Sequence, residues 1–318
     1  MRRLLQTSHH RSARRRRFCM IPSMPATDSG GRSGLPAARW LMWVGSTSGT
    51  ELALAHTCLG QMLPVEVAEN PPQALAGCPQ RGGTRPSMIL LASDRPGRWN
   101  IDDAILLTSR WPLVPVVSVG ASLCDGRRRS GPALPGVEEI AWHDVASRIG
   151  QWFADLDTGR PGGLGLPTTV RREDRLLESS LLAPRGSLPV EPPPVTLAAR
   201  RLLDLEGLAD LLVLAGRRIE RRVQGRPPLS AADATVIWDA GRLDRDDLAW
   251  LQLLSSNQPN LPILVLESFP RGDATLAALR AGAWAVVGRP VSLEVVVGTL
   301  ARLEQAATSG LGPAGIAR

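Results

Sequence analysis

Residues 261–290 read LPILVLESFPRGDATLAALRAGAWAVVGRP, and this stretch decides the fold. The run at 261–268 is almost continuously apolar, which is typical of a strand covered on both faces. A helical pattern follows at 272–282, where Gly282 supplies a stop signal. A second apolar run at 283–288 predicts another buried strand. Strand, helix and strand in this order predict a parallel sheet with helices on both sides.

The same alternation of strands and helices extends over both halves of the chain, which indicates a duplication at the level of fold. The second half predicts strands at 195–200, 218–223, 234–241, 261–268 and 283–288, and helices at 204–216, 243–256, 272–282 and 292–305. The first half predicts strands at 39–45, 64–70, 86–93, 113–120 and 138–143, and helices at 49–62, 100–111 and 144–156. The segment 208–216 also fits a strand. We therefore predict an α/β protein with two tandem doubly wound parallel-sheet domains.

Composition sets the expected domain boundaries, because proline, glycine and charge are concentrated between the two halves. We expect a disordered arginine-rich tail at 1–38, a first domain at 39–156 and a Pro/Gly-rich linker at 157–194. A second domain at 195–305 and a disordered tail at 306–318 complete the chain. Each domain has an ordinary size for a single core.

The net charge of +7 is concentrated in the first 38 residues. That tail holds eight arginines and one acid, whereas the other 280 residues hold 29 arginines and 29 acids. A neutral body argues against electrostatic capture of nucleic acid by the folded part. The tail fits a basic arm that touches nucleic acid or anionic lipid, and it fits equally a start codon assigned upstream of Met20 or Met24. An export signal is disfavoured, because no apolar stretch follows the arginines.

The four cysteines and four histidines show none of the spacings that common zinc sites use. A disulfide framework is not expected in a chain of 318 residues, so reduced thiols in the cytoplasm are the expectation. No apolar run has the length needed to cross a bilayer. We therefore expect a cytoplasmic protein with no metal, no cofactor and no membrane contact.

The motifs PILVLES and ALRAGAWAVVGRP resemble the receiver domains of bacterial response regulators. The resemblance covers about 195–305. It implies a five-stranded sheet in the flavodoxin-like order, with the site at the carboxyl ends of the strands. The family's phosphoacceptor aspartate ends the third strand, and Asp239 stands there in VIWDAG. The family's lysine precedes a proline after the fifth strand, and here Arg289 precedes Pro290.

Other positions depart from the family's pattern. Its serine or threonine position falls on Glu267, with Ser268 one residue later, and Glu267 adds negative charge near Asp239. Its acidic pair after the first strand, which helps to hold Mg²⁺, is replaced by Arg200 and Arg201. Phosphoryl transfer needs its developing charge neutralised, so the resemblance implies that Asp239 is a poor acceptor. The candidate pocket is degenerate and consists of Asp239, Glu267, Ser268 and Arg289.

The first half departs further from the receiver pattern. Ala92 stands at the acceptor position and Gly120 at the serine or threonine position. A generic Rossmann-like domain fits this half about as well. One loop there could bind an anion through guanidinium groups, although a solvated run of charge is the commoner outcome. The candidate anion-binding loop contains Arg127, Arg128, Arg129 and Ser130.

We predict a non-catalytic signalling protein built from pseudo-receiver domains that acts through contacts with protein partners of a bacterial signalling pathway. Its docking face would lie on 275–281 and 293–303. One alternative is a response regulator phosphorylated on Asp239, and another is a nucleotide- or phosphate-binding Rossmann-like enzyme. Nucleic acid would bind only through the basic tail, since no DNA-reading motif follows either half.

Overall fold

The computed structural model of the chain describes residues 39–77, 85–125, 134–157, 192–230 and 235–310. The predicted amino-terminal tail, most of the predicted linker and the arginine loop at 127–130 lie outside the described residues. Among the helices of the described ranges, none combines the length and the hydropathy needed to cross a membrane.

The first unit is a five-stranded parallel sheet with the strand order β2-β1-β3-β4-β5. Its strands are β1 (Leu41–Val44), β2 (Val65–Ala68), β3 (Met88–Ser93), β4 (Val116–Gly120) and β5 (Val137–Ala141). Its helices are α1 (Thr50–Met62), α2 (Pro71–Gly77), α3 (Ile101–Arg110) and α4 (Val145–Asp157). Two short 3₁₀ turns follow β4 and β5 at Ser122–Cys124 and Trp142–Asp144.

The second unit is also a five-stranded parallel sheet, with the order β7-β6-β8-β9-β10. Its strands are β6 (Val195–Ala199), β7 (Ile219–Gln224), β8 (Thr235–Gly241), β9 (Ile263–Ser268) and β10 (Ala285–Arg289). Its helices are α5 (Leu202–Leu214), α6 (Arg245–Asn257), α7 (Gly272–Arg280) and α8 (Leu293–Thr308). The segment 208–214, which also fitted a strand, is helical, and α8 continues past the predicted domain end at 305.

Both sheets have the strand order 2-1-3-4-5 in terms of their own strands, which is the flavodoxin-like doubly wound topology. The prediction of two tandem doubly wound α/β sheets is therefore confirmed. In this topology the order reverses between the first and third strands, and ligand sites lie beyond the carboxyl ends of the strands at that point. In the second unit this point lies between β6 and β8, and Asp239 is the last residue of β8 that pairs with β6.

Each sheet is covered on both faces, which explains why the strands are apolar without alternation. In β1, Leu41 and Trp43 pack with α1 and α4, whereas Met42 and Val44 pack with α2 and α3 on the other face. The second sheet has the same two layers, with α5 and α8 on one face and α6 and α7 on the other. The shortest of the described α-helices, α2, was not predicted.

Two helices begin with reciprocal capping boxes, as expected for acids in a first turn. The side chain of Asn100 accepts from the Asp103 backbone N–H, and Asp103 accepts from the Asn100 N–H. Asp244 and Asp247 make the same exchange at the start of α6. The acid clusters in the predicted helices at 100–111 and 243–256 therefore have a structural role.

The two sheets pack against each other through a surface that we call the unit interface. It is formed by α1, the Trp142–Asp144 turn and α4 of the first unit, and by α7, β10 and α8 of the second. The Ser147 and Thr299 hydroxyls lie 2.6 Å apart across it, fully buried. The backbone N–H of Gly272 donates to the Glu51 carboxylate across the same interface at 3.1 Å.

Glycines of the second unit allow this close approach. A Cβ added to Gly288 would lie 2.3 Å from the ring of His143, and one added to Gly298 would lie 2.9 Å from the carbonyl oxygen of Ser147. The predicted docking face at 275–281 and 293–303 is thus packed against the first unit of the same chain. The sequence analysis treated that face as exposed, because the residue pattern of these helices does not indicate which surface packs against them.

Candidate functional site

Asp239 is the centre of the candidate pocket. It ends the apolar run of β8 and is 2% exposed. Its Oδ1 accepts a hydrogen bond from the Gly241 N–H at 3.1 Å and another from the Arg289 guanidinium at 3.1 Å. Its Oδ2 is buried without a hydrogen-bond partner. Burial raises the pKa of the Asp239 carboxyl, and the Arg289 charge opposes this shift.

Arg289 joins Asp239 to a second carboxylate. Its Nη1 lies 3.1 Å from Asp239 Oδ1, and its Nη2 lies 2.8 Å from Asp204 Oδ1. Asp204 stands in the first turn of α5, one turn beyond the end of β6. The Arg289 side chain is 30% exposed, so its guanidinium lies at the rim of the pocket with its inner edge on Asp239.

Sequence reasoning missed Asp204. The family's pattern drew attention to the residues directly after the first strand, where Arg200 and Arg201 stand. A carboxylate four residues farther on was not considered. The sequence did contain a signal for Asp204, because the predicted helix begins there. The first turn of that helix lies at the same edge of the sheet as the end of the preceding strand.

The remaining acids beside this pocket have their own cations. Arg200 contacts Asp247, which is 1% exposed, and Arg226 Nε lies 3.0 Å from the other oxygen of the same carboxylate. Asp244 lies within 4.0 Å of the same two arginines. An arginine at the end of the first strand therefore binds acids of α6 at the place where the family keeps an acidic pair.

The donor set does not suit a divalent cation. Asp239 and Asp204 both bind Arg289, and Asp247 binds Arg200 and Arg226. Across the described ranges, no group of three or more His, Cys, Asp or Glu side chains is arranged to hold a metal ion. Mg²⁺ requires several oxygen ligands in near-octahedral geometry, and the two carboxylates that could supply such ligands are already paired with the Arg289 guanidinium.

Glu267 and Ser268 end β9, the strand beside β8. Glu267 is 4% exposed, and its Oε2 has no hydrogen-bond partner. Burial raises the pKa of Glu267, while a backbone hydrogen bond from Leu243 and the charge of Arg242 act in the opposite direction. The charges that shift the pKa of Asp239 come from Arg289 and Asp204 instead. Glu267 was expected to add negative charge near Asp239, but it is not one of the charges that shift the pKa of Asp239.

Ser268 lies at the carboxyl end of β9 and is paired in register with Arg289 of β10. It is partly exposed, and it borders the pocket on the side of β10. The next residue, Phe269, adopts a positive φ of 55° and is 69% exposed. The four predicted pocket residues thus occupy the ends of three adjacent strands, and the contact that joins two of them is between Asp239 and Arg289.

The corresponding edge of the first unit is filled by an indole. Trp99 is buried, and its Nε1 donates to the carbonyl oxygen of Ala92 at 2.9 Å. A Cβ at Gly45 would lie 2.9 Å from the same ring, so the glycine makes room for it. Beside it, the Ser93 and Ser118 hydroxyls lie 3.1 Å apart and are buried. Ala92, at the acceptor position, is therefore covered by the Trp99 side chain and is not open to solvent.

Comparisons with known proteins show only distant similarity to solved structures. No protein-family profile matches the sequence, and no curated protein matches it. A protein described as pilus assembly-related from Burkholderia pseudomallei is 24% identical, with 38% of this chain and 96% of that chain covered and a TM-score of 0.33.

Two further solved structures cover both sheets. The carboxyl-terminal part of RcsC from E. coli, with a linker region and a phosphoreceiver domain, is 14% identical over 87% of this chain and 98% of that chain, with a TM-score of 0.32. A two-component system response regulator/GGDEF domain protein is 13% identical over 84% and 99% of the two chains, with a TM-score of 0.32. The fold assignment therefore rests on the strand order of the two sheets.

Proposed function

We propose that this chain is a non-catalytic signalling protein, and that its second unit is a pseudo-receiver. The observation that carries the proposal is the guanidinium of Arg289 between Asp239 and Asp204. Receiver chemistry needs a metal and a mobile lysine around the acceptor carboxylate, and here one fixed cation takes both places. The second unit then transmits or receives signals through its surfaces instead of through its own phosphorylation.

The unit interface suggests how such a protein works. The face formed by α7, β10 and α8 is packed against α1 and α4 within the same chain. External partners must therefore bind elsewhere on the two units. We propose that the first unit acts as a resident partner of the second, and that a protein of a bacterial signalling pathway recognises the pair together.

The test uses beryllofluoride, an analogue of the phosphoryl group, with Mg²⁺ and the full chain. We expect no Mg²⁺-dependent change in the amide NMR spectrum of the wild-type protein or of Asp239→Asn. A response in the wild type that is lost in Asp239→Asn would contradict the proposal. The Arg289→Lys variant provides a third arm, in which a response would identify Arg289 as the group that blocks the wild-type pocket.

One observation favours a second candidate, a response regulator phosphorylated on Asp239. The buried Asp239 Oδ2 has no hydrogen-bond partner, so this carboxylate oxygen would be the one to attack a phosphorus atom once a shift of the side chains around it exposes it. Incubation with radiolabelled acetyl phosphate and Mg²⁺ tests this candidate directly. Label on the wild type and none on Asp239→Asn would support it, and an unlabelled wild type would exclude it under those conditions.

A further inference from the structure

A cavity of about 80 Å³ lies within the unit interface. Its walls come from α1 and the Trp142–Asp144 turn on one side and from α7, β10 and α8 on the other. Leu54, Leu279 and Val286 give it a mainly apolar lining. Since both units contribute walls, the cavity exists only while they are packed together.

The cavity lining includes one arginine that has no counter-ion among the described residues. Arg302 of α8 lines it, and burial lowers the pKa of its guanidinium. The Cys58 thiol is the titratable group that acts on it, and within the described part of the chain Arg302 has no hydrogen bond or ion pair. A guanidinium stays protonated in proteins, and an uncompensated charge in an apolar site is costly. An anion from solution would offset that cost.

A second polar group faces the same space. Thr275 of α7 lines the cavity, is 4% exposed, and its Oγ1 has no hydrogen-bond partner. The Thr299 hydroxyl of α8 also lines the cavity, but it already has hydrogen-bond partners. It donates to the Val295 carbonyl oxygen and lies 2.6 Å from the Ser147 hydroxyl. Arg302 and Thr275 can therefore donate hydrogen bonds to a ligand, as can the buried Trp142 Nε1, which also lines the cavity and has no hydrogen-bond partner.

Size and lining restrict what that ligand can be. A cavity of about 80 Å³ has room for a small ligand and not for a large one. The guanidinium fork matches the two oxygens of a carboxylate. The apolar walls favour a ligand with a short hydrocarbon part over a dianion such as phosphate, whose removal from water costs more free energy.

We propose that the unit interface binds a small monocarboxylate of the size of acetate or propionate. Its carboxylate accepts hydrogen bonds from Arg302 and Thr275, and its alkyl end lies against the apolar wall. Because binding requires both units in place, the ligand stabilises their packed arrangement. This inference is independent of the chemistry at Asp239.

The experiment measures thermal unfolding of the full chain in sodium acetate, propionate, chloride and phosphate at equal ionic strength. We expect the unfolding temperature to rise with acetate or propionate beyond the change seen in chloride. In Arg302→Met the apparent carboxylate affinity should fall at least tenfold, while Arg201→Met, a change at an exposed arginine, should leave it unchanged. An equal rise in chloride, or an unchanged response in Arg302→Met, would overturn the proposal.

A second measurement does not require that Arg302→Met folds. Saturation-transfer NMR detects the acetate methyl group at the wild-type protein without any substitution. We expect a transfer signal that excess propionate removes and that Thr275→Val weakens. No transfer signal at millimolar acetate would contradict the proposed site even if Arg302→Met fails to fold.

Discussion

Arg289 holds two carboxylates that come from different elements, Asp239 of β8 and Asp204 of α5. Replacing it by methionine keeps much of the side-chain volume and leaves both acids without their cation. We expect Arg289→Met to lower the free energy of unfolding by roughly 3 kcal/mol, the lower end for removing one partner of a buried pair, since Arg289 is partly exposed. Urea denaturation measures this loss.

The control for that prediction is Arg201→Met, because Arg201 is exposed and has no ion pair among the described residues. A change within about 0.5 kcal/mol is expected there, as for most surface substitutions. If Arg289→Met were no more destabilising than Arg201→Met, the contact between Arg289 and the two acids would have little energetic weight.

Glu267 has a pH dependence whose sign follows from its burial. Its folded-state pKa is raised above the ordinary value of 4.5, so the folded state binds more protons than the unfolded state just above that pH. The stability contributed by this group is present at low pH and decreases as the pH rises through the raised pKa. We expect Glu267→Gln to be close to neutral at pH 4 and stabilising relative to wild type at pH 7.

The measurement is urea denaturation of both proteins between pH 4 and pH 8. Glu206→Gln serves as the matched control, because Glu206 is exposed on α5. Its difference from wild type gives the baseline for the loss of one exposed carboxyl group. A Glu267→Gln difference that is constant over the same range would show that Glu267 is not held in a desolvated site.

At the scale of elements, two helical glycines should respond to alanine in opposite directions. Gly207 lies on the exposed side of α5 with no atom within 4 Å of an added Cβ, whereas a Cβ on Gly298 of α8 would lie 2.9 Å from the Ser147 carbonyl oxygen. We expect Gly207→Ala to stabilise by about 0.5–1 kcal/mol through helix propensity. Gly298→Ala should destabilise by about 1–3 kcal/mol through overpacking at the unit interface.

Equilibrium unfolding in urea distinguishes the two glycine substitutions. Their backbone effect is the same, because both residues lie inside helices. The difference between them therefore reports the contact with Ser147 alone. A Gly298→Ala protein as stable as Gly207→Ala would mean that α4 and α8 do not approach each other as closely as described.

The elements themselves were largely predictable, because a strand covered on both faces has to be apolar throughout. The runs at 86–93 and 261–268 correspond to β3 and β9, with their ends within two residues. Helix α2 was missed because PPQALAG is short and begins with two prolines, a pattern that suits a loop as well as a first turn.

The site was less predictable than the elements. Asp239 and Arg289 were named from the family's pattern, but the contact of Arg289 with Asp204 depends on how the first turn of α5 reaches back over the sheet edge. The unit interface was harder still. It uses Ser147, Thr299 and Gly298, and small or hydroxyl-bearing residues carry no periodic signal that separates an interface from a solvated helix face.

At the scale of the whole molecule, non-covalent contacts at the unit interface hold the two sheets together. Arg148 of α4 lies between Glu138 of its own unit, at 3.5 Å, and Glu294 of α8, at 3.4 Å. Burial raises the pKa of Glu294, and the Arg148 charge opposes that shift. The interface thus combines a largely buried ion pair, a buried hydroxyl pair and apolar packing, which is typical of a stable association.

We therefore expect the two halves to remain associated after the chain is cut between them. The cut is made with a site-specific protease whose recognition sequence is inserted within residues 158–191. Gel filtration at micromolar concentration should then show both fragments eluting together, at the volume of the uncut chain. The Gly207→Ala background should behave in the same way, whereas Gly298→Ala should release the fragments at the same concentration, since it pushes α4 away from α8. Fragments that separate in the unsubstituted protein would show that the unit interface is too weak to keep the first unit as a resident partner.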